Sequence, residues 1–181
     1  MYDNFANVYD ELFPVSESQK IFFDDLIQQL KSPINLLDVG CGTGELAICL
    51  DKKCNYIAAI DSDPSMIEVA KAKPRSGHLD FQLMNMSSIE NFYFNGSFSA
   101  ITCLGNVLQH ARSSYDVQMF LHGCNQLLRK NGMLVIQLLN YDKIMTNNTN
   151  SLPDIEAGDY LFKRNYELIG EDKLRFTTTI V

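Results

Sequence analysis

The chain has 181 residues, a length that fits one domain whose core could bury about 70% of the unfolded surface. Its 46% hydrophobic and 20% charged residues are typical of a soluble globular protein. The formal net charge of -7 argues against a nucleic-acid backbone as the main partner, and no apolar run is long enough to span a bilayer.

The cysteines and the N-terminal residues indicate the compartment. The five cysteines lack CxxC spacing and mostly sit in apolar runs, as is typical of reduced, buried thiols. Asp3, Asp10 and Glu11 come before any lysine, which is unlike a signal peptide. We therefore predict a cytoplasmic protein.

The first part of the chain alternates amphipathic and fully apolar segments. Helical spacing of the apolar residues predicts helices over Tyr2–Phe13 and Ser16–Lys31. Ile34–Val39 is a short apolar run of the kind that forms a strand buried on both faces. A helix over Glu45–Lys52 and a strand over Tyr56–Ile60 are predicted next.

The middle of the chain continues this alternation. Asp63-Pro64 is a helix start, with a capping carboxylate and a proline at the first helical position. Ser113 or Ser114 caps a strongly amphipathic helix. The predicted elements are strands at Leu79–Met84, Ser97–Cys103 and Met133–Leu139, and a helix at Tyr115–Arg129. Strands that alternate with helices in this way predict right-handed βαβ units and a parallel sheet.

The C-terminal segment has a different pattern. Thr146–Ser151 is polar and is predicted to be a loop. Tyr160–Leu168 and Lys173–Val181 are predicted strands of a hairpin around Gly170-Glu171-Asp172. The chain ends inside an apolar, β-branched run, so we expect a fragment whose C-terminal part is missing.

The most informative segment is Leu36–Glu45, where an apolar run is followed by three glycines at alternate positions, Gly40, Gly42 and Gly44. An amphipathic helix begins directly after them. This pattern predicts a buried strand, a tight turn without obstructing side chains, and a helix N-terminus. A ligand can therefore lie against the backbone N–H groups of the turn.

The residue after the turn limits which ligand it binds. A dinucleotide fold has its third glycine where this chain has Glu45. A carboxylate there suits the positive helix dipole but repels a pyrophosphate. A phosphate-binding Walker loop has a lysine after its last glycine, and none is present. The turn therefore favours a ligand that has no phosphate and carries positive charge.

The stretch Leu37-Asp38-Val39-Gly40-Cys41-Gly42-Thr43-Gly44 resembles the first motif of the class I S-adenosylmethionine-dependent methyltransferases. The resemblance covers roughly residues 2–140 and implies a cofactor with a cationic sulfonium and no phosphate. It implies a three-layer α-β-α, Rossmann-like fold with a mostly parallel sheet and an antiparallel C-terminal hairpin. We expect one methyltransferase domain over 1–181, with lid helices in 1–32, a cofactor-binding core in 33–140, and a loop and incomplete hairpin in 141–181.

The second predicted strand is followed by Asp61, whose carboxylate can accept hydrogen bonds from both ribose hydroxyls. The alternative role is a helix N-cap, which Asp63 already offers beside Pro64. By analogy with the family, Ser62 and Met66 lie along the adenosine.

After the third predicted strand come Asn85, Met86 and Ser87. The family often has an aspartate here that accepts the adenine amino group, and the oxygen of Asn85 can accept the same bond without charge assistance. The alternative is an ordinary turn residue at the end of a strand. The backbone N–H of Met86 could contact the adenine ring in either case.

The stretch Cys103–His110 resembles the Leu-Gly-Asn-x-Leu-x-His segment of small-molecule methyltransferases akin to the glycine N-methyltransferase group. In that family the segment runs beside the methionine portion of the cofactor and faces the acceptor. The sequence lacks the Asn/Asp-Pro-Pro-aromatic motif of nucleic-acid amino methyltransferases and the acidic ligands of metal-dependent catechol enzymes. His110 is a candidate base, with a purely structural histidine as the alternative.

Aromatic residues near the N-terminus complete the resemblance. The tyrosine of Ala6-Asn7-Val8-Tyr9-Asp10 is implied to cover the cofactor cleft as part of a lid, where its ring would attract the sulfonium. Farther along the chain, Tyr141 and Arg164 are candidates for contact with an acidic acceptor.

The resemblance therefore implies one set of site residues. His110 and Tyr9 are the catalytic candidates, mainly for positioning, and no metal is expected. The implied cofactor-binding residues are Tyr9, Asp38, Gly40, Cys41, Gly42, Thr43, Gly44, Asp61, Ser62, Met66, Asn85, Met86, Ser87, Leu104, Gly105 and Asn106.

We predict methyl transfer from S-adenosylmethionine to an amine or hydroxyl of a small molecule by in-line displacement. One alternative is a non-catalytic partner or sensor with the methyltransferase fold. Another is a nicotinamide oxidoreductase, which the argument from Glu45 disfavours. The expected partner is a small-molecule methyl acceptor, with no nucleic acid and no membrane, and the chain is expected to be a monomer or homodimer.

Overall fold

The computed structural model describes residues 3–146, 151–169 and 173–181. The chain divides into two compact units. The first consists of residues 1–7 and 15–138, and the second of residues 8–14 and 139–181. The subdivision of one domain at residues 32 and 140 stays a prediction.

The first unit contains a five-stranded sheet in which every neighbouring pair of strands is parallel. The strand order is β3-β2-β1-β4-β5, so the strand before the glycine turn is the central one. The strands are β1 (Asn35–Val39), β2 (Tyr56–Asp61), β3 (Leu79–Leu83), β4 (Phe98–Cys103) and β5 (Leu128–Ile136). The predicted parallel sheet is therefore confirmed.

Helices cover both faces of this sheet. Successive side chains of β1 point to opposite faces, and each face packs against its own buried cluster. Leu37 belongs to a buried cluster with Phe120, whereas Leu36 belongs to a second cluster with Phe23. These two cores give the predicted three layers. The α-helices that precede β5 in the chain are α1 (Asp3–Leu12), α2 (Glu17–Gln29), α3 (Glu45–Leu50), α4 (Pro64–Ala72) and α5 (Ser114–Leu127).

Short polar side chains begin the helices as the sequence predicts. Asp63 accepts a hydrogen bond from the backbone N–H of Ser65 at 2.8 Å, and proline occupies the first turn of α4. The cap of α5 is Ser113, which accepts from the backbone N–H of Asp116 at 3.2 Å. Of the two predicted caps of α5, the structure selects Ser113.

The end of α5 and the bounds of β5 differ from the prediction. The helix ends at Leu127, and Leu128 already has extended backbone with φ -70° and ψ 132°. β5 ends at Ile136 and not at Leu139. The predicted Asn131-Gly132 turn lies inside β5 as an irregularity, with Asn131 at φ 63°, because the register against β4 shifts there.

The second unit contains a three-stranded antiparallel sheet, in the order β6-β7-β8, and a short helix, α6 (Tyr141–Thr146). Its strands are β6 (Ser151–Ala157), β7 (Tyr160–Ile169) and β8 (Lys173–Ile180). The predicted hairpin strands are thus confirmed, and their connection at 170–172 lies outside the described residues.

The predicted loop at 146–151 is wrong at both of its ends. Thr146 ends α6 and Ser151 begins β6, while residues 147–150 lie outside the described residues. The strand β6 was not predicted from the sequence, because Pro153 and its acidic neighbours disfavour a strand. The sheet accommodates them through a register shift between Leu152 and Ile155.

Within the described parts of the chain, no helix is both long enough and apolar enough to cross a membrane.

Candidate functional site

The glycine turn between β1 and α3 depends on glycine for two separate reasons. Gly40, Gly42 and Gly44 have φ values of 75°, 56° and 81°, in the left-handed region that side chains rarely adopt. A Cβ atom on Gly40 would also lie 2.1 Å from Cγ2 of Val107, and one on Gly44 would lie 2.4 Å from the ring of Phe81. The turn is therefore closed against any side chain at these two positions.

Backbone hydrogen bonds tie this turn to the end of β2. The N–H groups of Gly40 and Cys41 both donate to the carbonyl oxygen of Ile60, at 2.8 and 2.9 Å. The N–H of Gly44 donates back to the carbonyl oxygen of Cys41 at 2.9 Å. These backbone hydrogen bonds fix the shape of the turn through contacts within the chain itself.

Asp61 is the side chain that joins the turn to the start of α4. Its Oδ2 accepts from the backbone N–H of Gly42 and its Oδ1 from that of Asp63, each at 2.9 Å. Sequence reasoning did not identify this structural role. Each carboxylate oxygen retains capacity to accept another hydrogen bond, so the predicted contact with a ribose stays compatible with the geometry and stays a prediction.

A second carboxylate, Asp38, lies buried at the centre of the sheet. Its Oδ1 accepts from Oγ1 of Thr102 at 2.7 Å. Burial raises the pKa of Asp38 to about 6, the hydrogen bond from Thr102 lowers it, and the charge of Asp61 raises it further. With a pKa of about 6, Asp38 is mostly ionised at neutral pH.

Cys41 is the one cysteine of the turn, and its surroundings keep the thiol protonated. Burial raises its pKa most strongly, and the negative charges of Asp38 and Asp61 raise it further. Its Sγ lies 3.6 Å from the carbonyl oxygen of Gly42. A protonated thiol is a poor nucleophile, so these surroundings disfavour a covalent intermediate on Cys41.

The carboxylate of Glu45 forms an ion pair with the lysine that caps the C-terminus of α4. Nζ of Lys73 lies 2.7 Å from Oε1 of Glu45 in a partly exposed ion pair. The sequence argument treated this carboxylate as an uncompensated charge that repels phosphate. With Lys73 beside it, Glu45 by itself is a weak barrier to a pyrophosphate, and the choice of ligand depends on the other site residues.

Asn85 caps the 3₁₀ turn that follows β3. Its Oδ1 accepts from the backbone N–H and from Oγ of Ser87, at 3.0 and 2.9 Å. The amide oxygen is thus engaged locally, as expected for the alternative of a turn residue, and the adenine contact stays a prediction. Met86 and Ser87 line a cavity of about 230 Å³ together with Tyr115 and Met119 of α5. Sequence reasoning did not identify this cavity.

The segment after β4 contacts the glycine turn directly. Gly105 and Asn106 have φ values of 62° and 66°, and a 3₁₀ turn over Val107–His110 follows. Val107 is the side chain that fills the space above Gly40. Gly40 and Val107 lie 67 positions apart in the sequence, and the two motifs are therefore brought together by the fold.

Gln137, immediately after β5, supports this same segment. Its Oε1 accepts from the backbone N–H of Gly105 at 3.1 Å, and its own backbone N–H donates to the carbonyl oxygen of Cys103 at 3.0 Å. Sequence reasoning missed both Gln137 and Val107, because only the folded sheet brings them to these glycines. His110 is exposed at the end of the 3₁₀ turn.

The remaining predicted residues are divided between the two units. In the first unit, Ser62 is exposed and Met66 is buried in α4, while Thr43 is buried within the turn. Tyr9 belongs to the second unit, where its ring centroid lies 4.9 Å from that of Phe13. The cofactor contacts of these residues, of Leu104 and of Asn106 stay predictions, as do the catalytic roles of Tyr9 and His110.

Comparison with known proteins supports the family relationship. A family model described as a methyltransferase domain matches residues 36–132, which include the turn, Asp61, Asn85 and the segment after β4. A glycine/sarcosine N-methyltransferase of Parasynechococcus marenigrum is 28% identical over 149 residues, which are 79% of this chain and 52% of that protein. A ubiquinone biosynthesis O-methyltransferase of Rickettsia canadensis is 31% identical over 109 residues, 60% of this chain and 44% of that protein.

The chain spans about half the length of these curated relatives. Among solved structures, CalS10 from Micromonospora echinaspora, an amino pentose methyltransferase with bound S-adenosylmethionine, matches with a TM-score of 0.67 at 16% identity, over 91% of this chain and 74% of that one. At this identity the match shows the fold. The chain belongs to the methyltransferase domain family, with the Rossmann-like fold of the S-adenosylmethionine-dependent methyltransferases.

Proposed function

We propose that the protein transfers a methyl group from S-adenosylmethionine to an amine or hydroxyl group of a small molecule by in-line displacement. The observation that carries this proposal is the turn over Gly40–Gly44, held by the carboxylate of Asp61. Two of its three glycines leave no room for a Cβ atom. In this proposal the nucleoside of the cofactor lies against the backbone of the turn, beside Asp61.

The residues present fit this cofactor better than a dinucleotide. Asp61 has remaining acceptor capacity at the end of β2, where a carboxylate suits ribose hydroxyls. The buried carboxylate of Asp38 places negative charge near the turn, which favours the cationic sulfonium and amino group of the cofactor over phosphates. An acidic residue at the position of Asp61 also occurs in dinucleotide folds, so Asp38, rather than Glu45 or Asp61, carries the argument against phosphate.

When bound, S-adenosylmethionine supplies a methyl group already activated by a positive sulfur, so the reaction needs no nucleophilic side chain. The protein's contribution is alignment and exclusion of water. The positive-φ backbone at Gly105 and Asn106, braced by Gln137, presents this segment at the carboxyl end of β4. An amine acceptor needs only to arrive unprotonated, whereas a hydroxyl acceptor needs a base, for which His110 is the candidate.

The relatives support both acceptor classes. The name of the Parasynechococcus marenigrum protein specifies transfer to nitrogen, and that of the Rickettsia canadensis protein specifies transfer to oxygen. The segment Leu104–His110 was already similar to that of amine-directed enzymes. We therefore favour an amine acceptor, with a hydroxyl as the second candidate.

Calorimetry with S-adenosylmethionine tests the proposal directly. We expect saturable binding to the folded chain, and no binding at millimolar cofactor would contradict the proposal. The same titration with the nicotinamide dinucleotide is expected to show no binding. Methyl transfer to a panel of small amines and alcohols, followed with a labelled methyl group, distinguishes an enzyme from a non-catalytic binding protein.

The role of Asp61 requires a test that separates ribose binding from its support of the turn. S-adenosylhomocysteine and its 2′-deoxy analogue are titrated into the wild-type protein and into Asp61→Ala. If Asp61 accepts from the ribose, the missing hydroxyl weakens binding roughly tenfold in the wild type and much less in the variant. Equal losses in both proteins would leave Asp61 with the structural role alone. Asp80→Asn, an exposed carboxylate of β3, is the control.

A further inference from the structure

The cavity of about 230 Å³ lies between α5 and the 3₁₀ turn over Met86–Asn91, within the first unit. The residues that line it include Met86, Ile89, Glu90, Tyr115, Asp116 and Gly123. Of the described residues around it, none belongs to the glycine turn, and Asp61 is not among them either. The cavity is therefore a feature apart from the turn and its carboxylate.

Apolar and thioether groups form much of the wall of this cavity. Ile89 is 1% exposed, and the thioethers of Met86 and Met119 adapt readily to the shape of a ligand. Tyr115 is 64% exposed, so the cavity is reached from solvent beside its ring. A ligand with a small apolar body can thus enter the cavity and displace water from these groups.

The carboxylate of Glu90 gives the cavity a negative charge. The side chain is half-buried and forms no hydrogen bond or ion pair with the residues that the structure describes. Glu45 of the same unit differs, because its carboxylate is paired with Lys73. Asp116 is the second carboxylate, and its Oδ2 accepts from the backbone N–H of Arg112 at 3.1 Å. No lysine, arginine or histidine is found among the described lining residues, so no cation of the chain balances this charge inside the cavity.

Gly123 leaves the α5 wall open beside Glu90. It lies in the interior of a 14-residue helix, where glycine is less stable than alanine, and its φ is not positive. A Cβ atom there would lie 3.6 Å from Cγ1 of Ile89 and 3.7 Å from Oε2 of Glu90, which is ordinary van der Waals contact. Neither the backbone conformation nor close packing therefore requires glycine, and its effect is to leave space next to the carboxylate.

We propose that this cavity binds a small organic cation, in which an ammonium group is joined to a compact apolar ring or chain. The ammonium has three N–H donors and lies at the carboxylate of Glu90, which is an acceptor only. The apolar body packs against Ile89, and the ring of Tyr115 attracts the cation. A cavity of about 150 Å³ is enough for benzene, so the volume here has room for a ring that carries an aminomethyl group.

The surroundings favour an organic cation over a metal ion or a neutral ligand. No group of three or more metal-ligating side chains occurs in the described parts of the chain, and a divalent cation usually takes at least about six ligands. A neutral ligand would remove water from Glu90 without supplying a charge, which costs free energy.

The test compares benzylammonium with benzyl alcohol, two probes of the same shape that differ in charge, by calorimetry on the full chain at neutral pH. We expect benzylammonium to bind roughly tenfold more tightly or better, since only its ammonium compensates the carboxylate. Calcium ion is the third probe and is expected to bind more weakly than benzylammonium. Equal binding of the two organic probes, or tighter binding of calcium, would overturn the proposal.

Charge variants locate the effect. Glu90→Gln keeps the shape of the side chain and is expected to abolish the preference for benzylammonium. Glu68→Gln, at an exposed position of α4, changes the net charge equally and is expected to retain the full preference. An unchanged preference in a folded Glu90→Gln protein, as judged by circular dichroism, would contradict the proposal. Because the wild-type comparison needs no variant, misfolding of Glu90→Gln leaves the test intact.

Gly123→Ala tests occupation of the cavity without changing charge. The added methyl group fills space beside Glu90, so both organic probes are expected to bind severalfold more weakly. Alanine is the better helix former, so the thermal midpoint is expected to rise, which separates weaker binding from unfolding. Gly77→Ala, where nothing lies within 4 Å of a new Cβ, is the control and is expected to retain full affinity. Full affinity for benzylammonium in Gly123→Ala would place the probe elsewhere and overturn the assignment.

Competition with S-adenosylmethionine separates this site from that of the cofactor, because Met86 and Ser87 are also predicted cofactor residues. We expect benzylammonium to bind equally well with and without millimolar S-adenosylmethionine. Displacement of benzylammonium would make the cavity part of the cofactor site and would overturn a separate cation site. A protein that binds benzylammonium and not S-adenosylmethionine would contradict the methyltransferase proposal alone.

Discussion

The glycine turn of the first unit and the aromatic face of the second unit's sheet hold their charged groups in opposite ways. At the turn, both oxygens of Asp61 already accept hydrogen bonds from the backbone, so the carboxylate shapes the turn. On the sheet, Nε of Arg164 is buried without a partner in the described chain. The carboxylate at the turn is therefore satisfied by the chain's own backbone, whereas the guanidinium on the sheet is incompletely satisfied within the described residues.

The largest expected effect concerns the core of the second unit. Phe162→Ala removes a ring that is 4% exposed and packs edge-to-face against Phe13 at 5.3 Å. We expect a loss of about 3–5 kcal/mol in the stability of that unit. Hydrogen exchange of the β7 amides measures it. Ile169→Ala, at a position 41% exposed on the same strand, is the control and is expected to change exchange little. Unchanged β7 protection in Phe162→Ala would contradict the assigned core.

Gly40→Ala tests the corresponding rigidity of the turn. The new Cβ would meet Val107 at 2.1 Å, at a residue with φ 75°. We expect a loss of roughly 2–5 kcal/mol in unfolding free energy from overpacking and backbone strain together, with loss of cofactor binding.

Gly105→Ala is the matched control for that substitution. Its φ of 62° is similarly positive, but nothing lies within 4 Å of a Cβ placed there. We expect only the strain, about 1–2 kcal/mol. Adding Val107→Ala should recover part of the loss in Gly40→Ala and none of that in Gly105→Ala. Equal losses in the two glycine variants would show that contact with Val107 is unimportant.

Asp38 provides a pH-dependent comparison. Its pKa rises from 3.8 to about 6 in the folded chain, so the folded state binds the extra proton between these values. This residue's contribution to stability is therefore greatest below about pH 4, falls as the pH rises to 6, and is constant above. The total change is about 3 kcal/mol.

Asp38→Asn removes that titration and keeps an oxygen that can accept from Thr102. Urea unfolding between pH 4 and 8 is the measurement. We expect the stability of the variant relative to the wild type to increase by up to about 3 kcal/mol between pH 4 and 6 and then to level off. A difference that does not vary with pH would contradict a raised pKa.

The smallest effect is expected at Glu45. Its ion pair with Lys73 is partly exposed, so Glu45→Gln should change the unfolding free energy by less than about 1 kcal/mol. Because Lys73 already compensates the charge, we also expect no gain in affinity for a dinucleotide. A clear gain, measured by calorimetry, would restore the sequence argument that this carboxylate excludes phosphate.

Local sequence signals identified the elements that depend on local chemistry. The cap at Asp63, the apolar run of β1 and the glycine turn were each predictable, because a capping side chain, hydrophobicity and a missing Cβ act within a few residues. The failures came where distant parts of the chain decide the structure. β6 is a strand because β7 pairs with it, in spite of Pro153.

The sequence by itself determined that three glycines end a buried strand and open a helix, and hence the kind of ligand expected there. Only the tertiary structure showed that Val107 closes over Gly40, that Asp61 supports the turn, and that Lys73 compensates Glu45. It also revealed the incompletely paired guanidinium of Arg164. The physical reason is that a residue type sets which bonds a group can make, whereas the fold decides which partners lie within reach.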